Sequence, residues 1–541
     1  MKKKQMTRMF GAVLVSAVLT ACSSPAAPAE GGSESPAKDN KDAQFQYVAQ
    51  QLIGTIDPAQ VKDETEVIAA INLYDPLFYP DVDNESMAPV PHVAESYVLD
   101  ETGTVYTVTV KNGIKFQSGN TLTAKDVVYT MERMLAINKG NAWLWSSVVD
   151  KVEAADEQTV VFTLKSPYAP FLSTLTQLFI VDSEVLKEHQ ESGDFGESGD
   201  YGLAYLADHS AGSGPYKIVN WDRQSFLELE AFEDYWKGWK EGQLKNVKML
   251  TITEEATAKT LLVSGEADMI HQWLSVSAYS EFEKVKGLVV ERDPSAKLMY
   301  FPMNTQKAPT DDVNVRKAIA LAIDYTTALE DILGGSAAAA GSVPVVVPGA
   351  SSDVKPEERN LEEAKNALAA SKYAGEKLKV SFMYLGEVAE QRQFVQLVAA
   401  NLAEIGIEVE QISVNWAQVT EAAATPEGTA NLTVISDSLK YPHVDSHTYG
   451  IYHSSAAGSF RTMSWLKDPE VDDVLTRARI ATTEEEQMDL YKKAQNLVAE
   501  QYPAIYMANP THSIAYQENV EGYTYVGLMG YDIAFYSFTV K

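Results

Sequence analysis

The densest run of chemistry-bearing residues lies between Ser436 and His453, SDSLKYPHVDSHTYGIYH. It gathers Asp437, Lys440, Tyr441, His443, Asp445 and His447. In an extended segment, alternate residues point to one side, so His443, Asp445 and His447 would share a face. Imidazole and carboxylate together can hold a divalent metal, or a metal carried by a chelator. The same residues would equally suit a solvated loop whose histidines do unrelated work. Elsewhere, His271 and Trp273 follow the apolar pair Met269-Ile270, and Trp416 follows a β-like run ending at Val414. A lone histidine after a strand is more often a hydrogen-bonded structural group. An exposed indole could serve as an apolar wall of a pocket or simply pack.

Enzymatic chemistry finds little purchase. There is no G-x-x-x-x-G-K-[ST], G-x-S-x-G or H-E-x-x-H pattern, which removes phosphate-loop, serine-hydrolase-elbow and zincin readings. The single cysteine, Cys22, leaves no disulfide framework and no multi-cysteine metal site. No cofactor is expected. The formal charge of −31 repels phosphate backbones and anionic headgroups, which argues against nucleic acid as a partner.

These candidates need elements to hold them. At 541 residues the chain is too long for one core. Val105 to Val110 is β-branched and aromatic, bounded by Thr102-Gly103 and Asn112-Gly113, so it reads as a strand. Thr123 stands three residues before Asp126 and ahead of Val127, Val128, Met131 and Leu135, which predicts a helix starting at Thr123. Phe45 to Ile56 reads as a strand, Ala69 to Phe78 as helical, and Val315, Ile319 and Ile323 as one face of a helix within 311–324. Helical patterns at 360–368 and 389–405 alternate with strands at 378–384 and 407–414, implying a predominantly parallel sheet. Further helices are expected at 256–262, 470–480 and 484–500, and a β-like tail from Tyr523 to Val540.

The amino terminus has its own logic. Lys2, Lys3, Lys4 and Arg8 precede an apolar run from Met9 to Leu19, about half the roughly 20 residues a spanning helix needs, so residues 1–21 read as a signal peptide. Removing it takes the charge from −31 to −35. Residues 22–43 are rich in Pro, Gly, Ser and charge, the composition of a disordered tether with a reach of roughly 25 Å.

Several blocks carry a resemblance. Ala94-Glu95-Ser96-Tyr97, Thr104-Val105-Tyr106-Thr107, Asn112-Gly113-Ile114-Lys115-Phe116, Gly119, Leu122 to Val127 and Glu132-Arg133 match, in order, a block that resembles the family 5 extracellular solute-binding proteins, the peptide- and nickel-binding components of ABC importers. Gly212 to Lys217, Tyr235 to Gly238, Ser264 to Asp268 and 299–324 resemble further stretches of it. Leu19-Thr20-Ala21-Cys22 resembles the bacterial lipobox, which implies cleavage before Cys22 and lipidation of its thiol.

The resemblance implies an α/β fold of the periplasmic-binding-protein type II, with two lobes joined by a hinge. Residues 44–75, 210–300 and 507–541 would form the first lobe, 76–209 an extra subdomain of it, and 301–506 the second. It implies a non-enzymatic lipoprotein, monomeric, held at the outer face of the plasma membrane or in a periplasm. Such a protein would hand a small solute, most often a short peptide, to a permease and its ATPase subunits. Asp57, His271, Trp273, Asn304 and Trp416 would then approach the cleft between the lobes. In peptide-binding relatives a carboxylate in the loop equivalent to 436–453 receives the peptide's amino group. Here Lys440 stands at the first Asp of that pattern and His443 at the next, with Asp445 at the last. A cation at that position repels an ammonium, so ordinary dipeptide recognition is in question, unless Asp437 substitutes. A metal-chelate receptor on the same fold is the alternative. A secreted hydrolase or chaperone built on the same scaffold is the rival from another class.

Overall fold

The computed structural model describes residues 44–82, 87–270 and 274–541. Cys22, the tether, His271 and Trp273 lie outside these. Among the described residues no helix is long and apolar enough to cross a membrane.

A large mixed sheet forms the spine. Its strand order is 435–437, 298–302, 504–517, 269–270, 45–49, 246–251, 226–231 and 216–222, with 288–294 and 337–338 also paired to 504–517. Parallel pairing is confined to Phe45–Ala49, against both Asn246–Thr251 and Met269–Ile270; its other ladders are antiparallel. The strand Ala504–Gln517 organises the whole. Its first residues pair with Met299–Pro302 and its last with Leu288–Pro294. The ladder changes partner around Ser295–Lys297 on one strand and Asn509–Pro510 on the other. Pro510 cannot donate to a ladder, which suits a residue placed at that change. The expected lobe boundaries at 300/301 and 506/507 cut these two paired strands.

The predicted strand at 105–110 is Val105–Val110, the second strand of an antiparallel four-stranded sheet in the order 94–99, 105–110, 159–164, 149–154. Its helix, Ala124–Ile137, begins after Thr123, whose N–H and hydroxyl both donate to Asp126 Oδ2 at 2.8 and 3.0 Å. Tyr106, Val108, Val127, Met131, Trp145, Phe162 and Phe171 centre a buried apolar cluster that also takes in Tyr441 of the second half. In the second half, Leu378–Leu385 lies between Ile407–Val414 and Leu432–Thr433, all parallel, with Ala389–Ala403 as the crossover helix. The parallel expectation holds there and not for the spine.

The apolar interior is divided. Phe45, Tyr47, Ile68, Leu73, Met249 and Phe535 belong to one cluster; Leu298, Tyr300, Val444, Leu475 and Tyr491 to another; Phe301, Ile319, Phe382, Phe394 and Leu402 to a third.

Three predicted elements need correction. The helix expected at 69–78 is Glu64–Leu73, started by Asp63, whose carboxylate accepts the Glu66 N–H at 3.0 Å. All of its residues are buried, so no apolar stripe marks its position. The strand expected at 45–56 ends at Ala49. The tail expected as β-like is mainly short 3-10 turns at 531–533 and 535–537, with two-residue strands at 520–521 and 539–540. Its aromatics raise strand propensity, yet Tyr531, Phe535 and Phe538 fill the first-half core instead.

Candidate functional site

Where the halves meet, the chain buries several charged groups. From the first half come Glu64, at the start of the helix Glu64–Leu73, and Asp532, 5% exposed. His512, on the long strand, faces Asp532 at 3.2 Å and the Tyr523 hydroxyl at 2.9 Å. From the second half come Asp437, on the edge strand Ile435–Asp437, His447 and Arg461, together with the partly buried Lys440. Lys297 sits at the crossing itself.

These groups feel one another. Burial raises the Glu64 carboxyl above its usual range, and Lys297 and Lys440 pull it back. Burial lowers the Lys297 ammonium, opposed by Glu64 and Asp532. The Lys440 ammonium is likewise lowered by burial, opposed by Asp437, while Arg461 adds to the lowering. Charges taken out of water persist only with partners, so the layer is held by mutual compensation across the two halves.

Within it, Asp437 is the anchor of the second half. Its Oδ2 accepts from Arg461 Nε at 2.6 Å, and Arg461 Nη2 donates to the Ser446 carbonyl at 2.6 Å. Burial would raise the Asp437 carboxyl, but Arg461 and Lys440 outweigh it and hold it below the usual range. Lys440 Nζ stands 3.8 Å from Asp437 Oδ1 and 3.7 Å from the Met529 sulfur of the first half. His447 is fully buried and neither ring nitrogen has a hydrogen-bond partner. Burial depresses it from 6.5 to about 4.

The expectation that His443, Asp445 and His447 share one side of an extended segment is not met. Residues 444–446 form a 3-10 turn, capped by His443, whose Nδ1 accepts the Asp445 N–H at 3.1 Å. The turn rotates the three side chains apart. Asp445 is instead fully buried in a structural network, accepting from Arg479 Nη2 at 2.7 Å and from the Tyr441 and Tyr491 hydroxyls at 2.6 and 2.8 Å. Arg479 in turn lies over the rings of Tyr449 and Tyr168, and its carbonyl accepts the Ala169 N–H at 2.9 Å. Tyr168 and Ala169 belong to the first half, so this network is also a contact between the halves. Among the described residues no group of three or more His, Cys, Asp or Glu is arranged to hold a metal ion.

Other predicted site residues lie elsewhere. Asp57 is fully buried in a bidentate pair with Arg133, at 2.6 and 2.7 Å, and also accepts the Ala59 N–H. Asn304 is fully buried and braces a loop, donating to the Pro426 carbonyl at 2.8 Å and accepting the Gln306 N–H at 3.0 Å. Trp416 is 45% exposed at the start of a short helix, its ring edge-on to Phe460. Trp236 donates its indole N–H to Asp75 at 3.0 Å. That carboxylate also collects His92, Ser213 and Tyr235, and so ties the extra subdomain to the spine. A groove of about 830 Å³ lined by Lys115, Lys217, Glu230 and Lys245 lies on the edge strands of the spine, away from the interhalf layer.

The structure thus brings together Asp437, Lys440 and His447 from the predicted set. It adds Glu64, Lys297, Arg461, His512 and Asp532, for which the sequence offered no spacing rule. These residues lie far apart in sequence and meet only because Ala504–Gln517 spans both halves.

Two lobes, crossed by paired strands and meeting at a buried polar layer, form a hinged architecture that can hold a ligand between them. Residues 88–459 match the family described as bacterial extracellular solute-binding proteins, family 5 Middle, and the chain belongs to it. Its fold is that of the type II periplasmic binding proteins. The chain is 26% identical to the probable D,D-dipeptide-binding periplasmic protein DdpA of Escherichia coli, covering 87% of this chain and 89% of that one. It is 25% identical, over the full length of both, to heme-binding protein A of Haemophilus influenzae. Among solved structures, the periplasmic binding protein DppA of Helicobacter pylori, in complex with the peptide STSA, superposes with a TM-score of 0.79 at 24% identity, covering 92% of this chain and 98% of that one.

Proposed function

We propose that the chain is the lipid-anchored receptor of an ABC importer, which closes its two lobes over a small solute, a short peptide, and presents it to a membrane permease. The observation that carries this reading is the buried layer at the lobe junction. It is built from charged groups of both halves, and a purely structural interface gains more from apolar packing than from paired ions. Separate lobe cores and two adjacent crossings make it a surface that can open and be wetted. Relatives named for dipeptide, oligopeptide and glutathione binding support a peptide. The metal-chelate alternative loses Asp445 as a ligand, since that carboxylate is fully engaged by Arg479 and two tyrosines.

A ligand that binds the closed state stabilises it by mass action, by about 2.7 kcal/mol at a concentration 100 times its dissociation constant. Mixed di- to pentapeptides are therefore expected to raise the melting temperature of the purified protein. If peptides, nickel chelates and oligosaccharides all leave it unchanged, the receptor reading fails. The anchor has its own test. Cys22→Ser, which has no thiol to lipidate, is expected to move the protein from the membrane fraction to the soluble fraction of the producing cell; equal membrane retention of both forms contradicts lipidation.

A further inference from the structure

The lobe-junction layer is not evenly satisfied. Asp437 spends its Oδ2 on Arg461 at 2.6 Å, which leaves Lys440 only a 3.8 Å approach to Oδ1, too long for a hydrogen bond. The other neighbour of the Lys440 ammonium is the Met529 sulfur at 3.7 Å, a weak acceptor. The side chain is only 16% exposed, so water cannot make up the difference freely. Beside it His447, fully buried, leaves both ring nitrogens without a partner. A neutral imidazole needs one acceptor for its N–H and one donor for its bare nitrogen. Buried polar groups in folded proteins are satisfied as a rule, and exceptions that cluster call for a missing partner.

We propose that Lys440 and His447 form the seat for a carboxylate of the bound solute, so that the ligand is a zwitterion whose acid end lies on the 436–453 loop of the second lobe. The inference rests on the lobe-junction layer being the ligand site. A carboxylate supplies the acceptor that both the ammonium and the imidazole N–H lack, and the N–H of a peptide's last residue can serve the bare ring nitrogen. The opposite wall fits the other end. Glu64 and Asp532, from the first lobe, put negative charge on the opposite side of the same layer, where Lys297 and His512 offset part of it. Arg461 holds only Asp437 Oδ2; Oδ1 is buried without a hydrogen-bond partner, so Asp437 stays a second acidic group of the layer, on the Lys440 side.

The test uses the mature, ligand-stripped protein and calorimetric titration with trialanine, trialaninamide, N-acetyltrialanine and Ala-Glu-Ala-amide. Trialanine should bind roughly 30-fold or more tighter than trialaninamide, the loss expected when one member of a buried charge pair is left alone. N-acetylation should cost less than amidation, and Lys440→Met should erase the preference for the free acid. Tight binding of Ala-Glu-Ala-amide would show that a side-chain carboxylate also fills the seat. Equal affinity for trialanine and its amide in the unmutated protein overturns the proposal, whatever Lys440→Met does. If no peptide binds, acid or amide, the peptide reading fails, and propionate decides the seat. A shift of the His447 ring ¹⁵N signals on adding propionate sustains it, and unmoved signals overturn it.

Discussion

Asp445→Ala is expected to cost about 3–5 kcal/mol of folding stability, read as a lowered denaturant midpoint. The carboxylate is fully buried and is the common acceptor for Arg479, Tyr441 and Tyr491. Burial alone would raise its protonation range; Arg479 reverses this and holds it below the usual carboxylate range. Truncation leaves a guanidinium with 16% side-chain exposure facing no counter-charge and two buried hydroxyls facing no acceptor. Asp445→Asn keeps an acceptor for the tyrosines and should lose less. Because the Arg479 carbonyl also receives the Ala169 N–H, the loss should reach the interlobe contact, as faster amide hydrogen exchange at Ala169. A midpoint shift worth under about 1 kcal/mol would mean that the network does not act as a unit.

The second large effect is a pH dependence, read in the ligand-free protein. His447 is held neutral in the fold, its range depressed from 6.5 to about 4. Burial is the chief cause, Asp437 opposes it, and Arg461 and Lys440 reinforce it. The unfolded chain takes up a proton below about pH 6.5 and the folded chain only below about 4. Protonation therefore favours unfolding across that window. The stability contributed by a neutral His447 is full above 6.5, falls through the window and levels off below 4, a total of about 3 kcal/mol. His447→Phe cannot titrate, so the stability difference between it and the unmutated protein should change by that amount between pH 7.5 and pH 4. Other groups titrate in the same range: Glu66, pushed up to about 7 by burial and by Asp63, acts in the opposite sense. Subtracting the variant removes these shared contributions. A pH-independent difference would place His447 in contact with water.

Local patterns were legible wherever one element solved its own problem. The strand Val105–Val110, the capped helix after Thr123 and the parallel unit around Leu378–Leu385 follow from β-branched runs, an Asp three residues after a Thr, and alternating periods. The helix Glu64–Leu73 and the strand Ala504–Gln517 were not legible. The helix is buried all round, and the strand carries a proline where its partners change, so neither shows the period that marks its type.

The site divides in the same way. By itself the sequence determined the family, through the blocks between Ala94 and Arg133, and it singled out the 436–453 loop together with the departure of Lys440 from an acidic position. Only the tertiary structure decided what those residues do. A 3-10 turn at 444–446 separated the histidines, Arg479 claimed Asp445 for the scaffold, and the crossing of the long strand brought Glu64, Lys297 and Asp532 to face Lys440. Spacing along a chain fixes which groups an element presents. Which charges meet in low dielectric depends on contacts hundreds of residues apart, and those exist only once both lobes have folded.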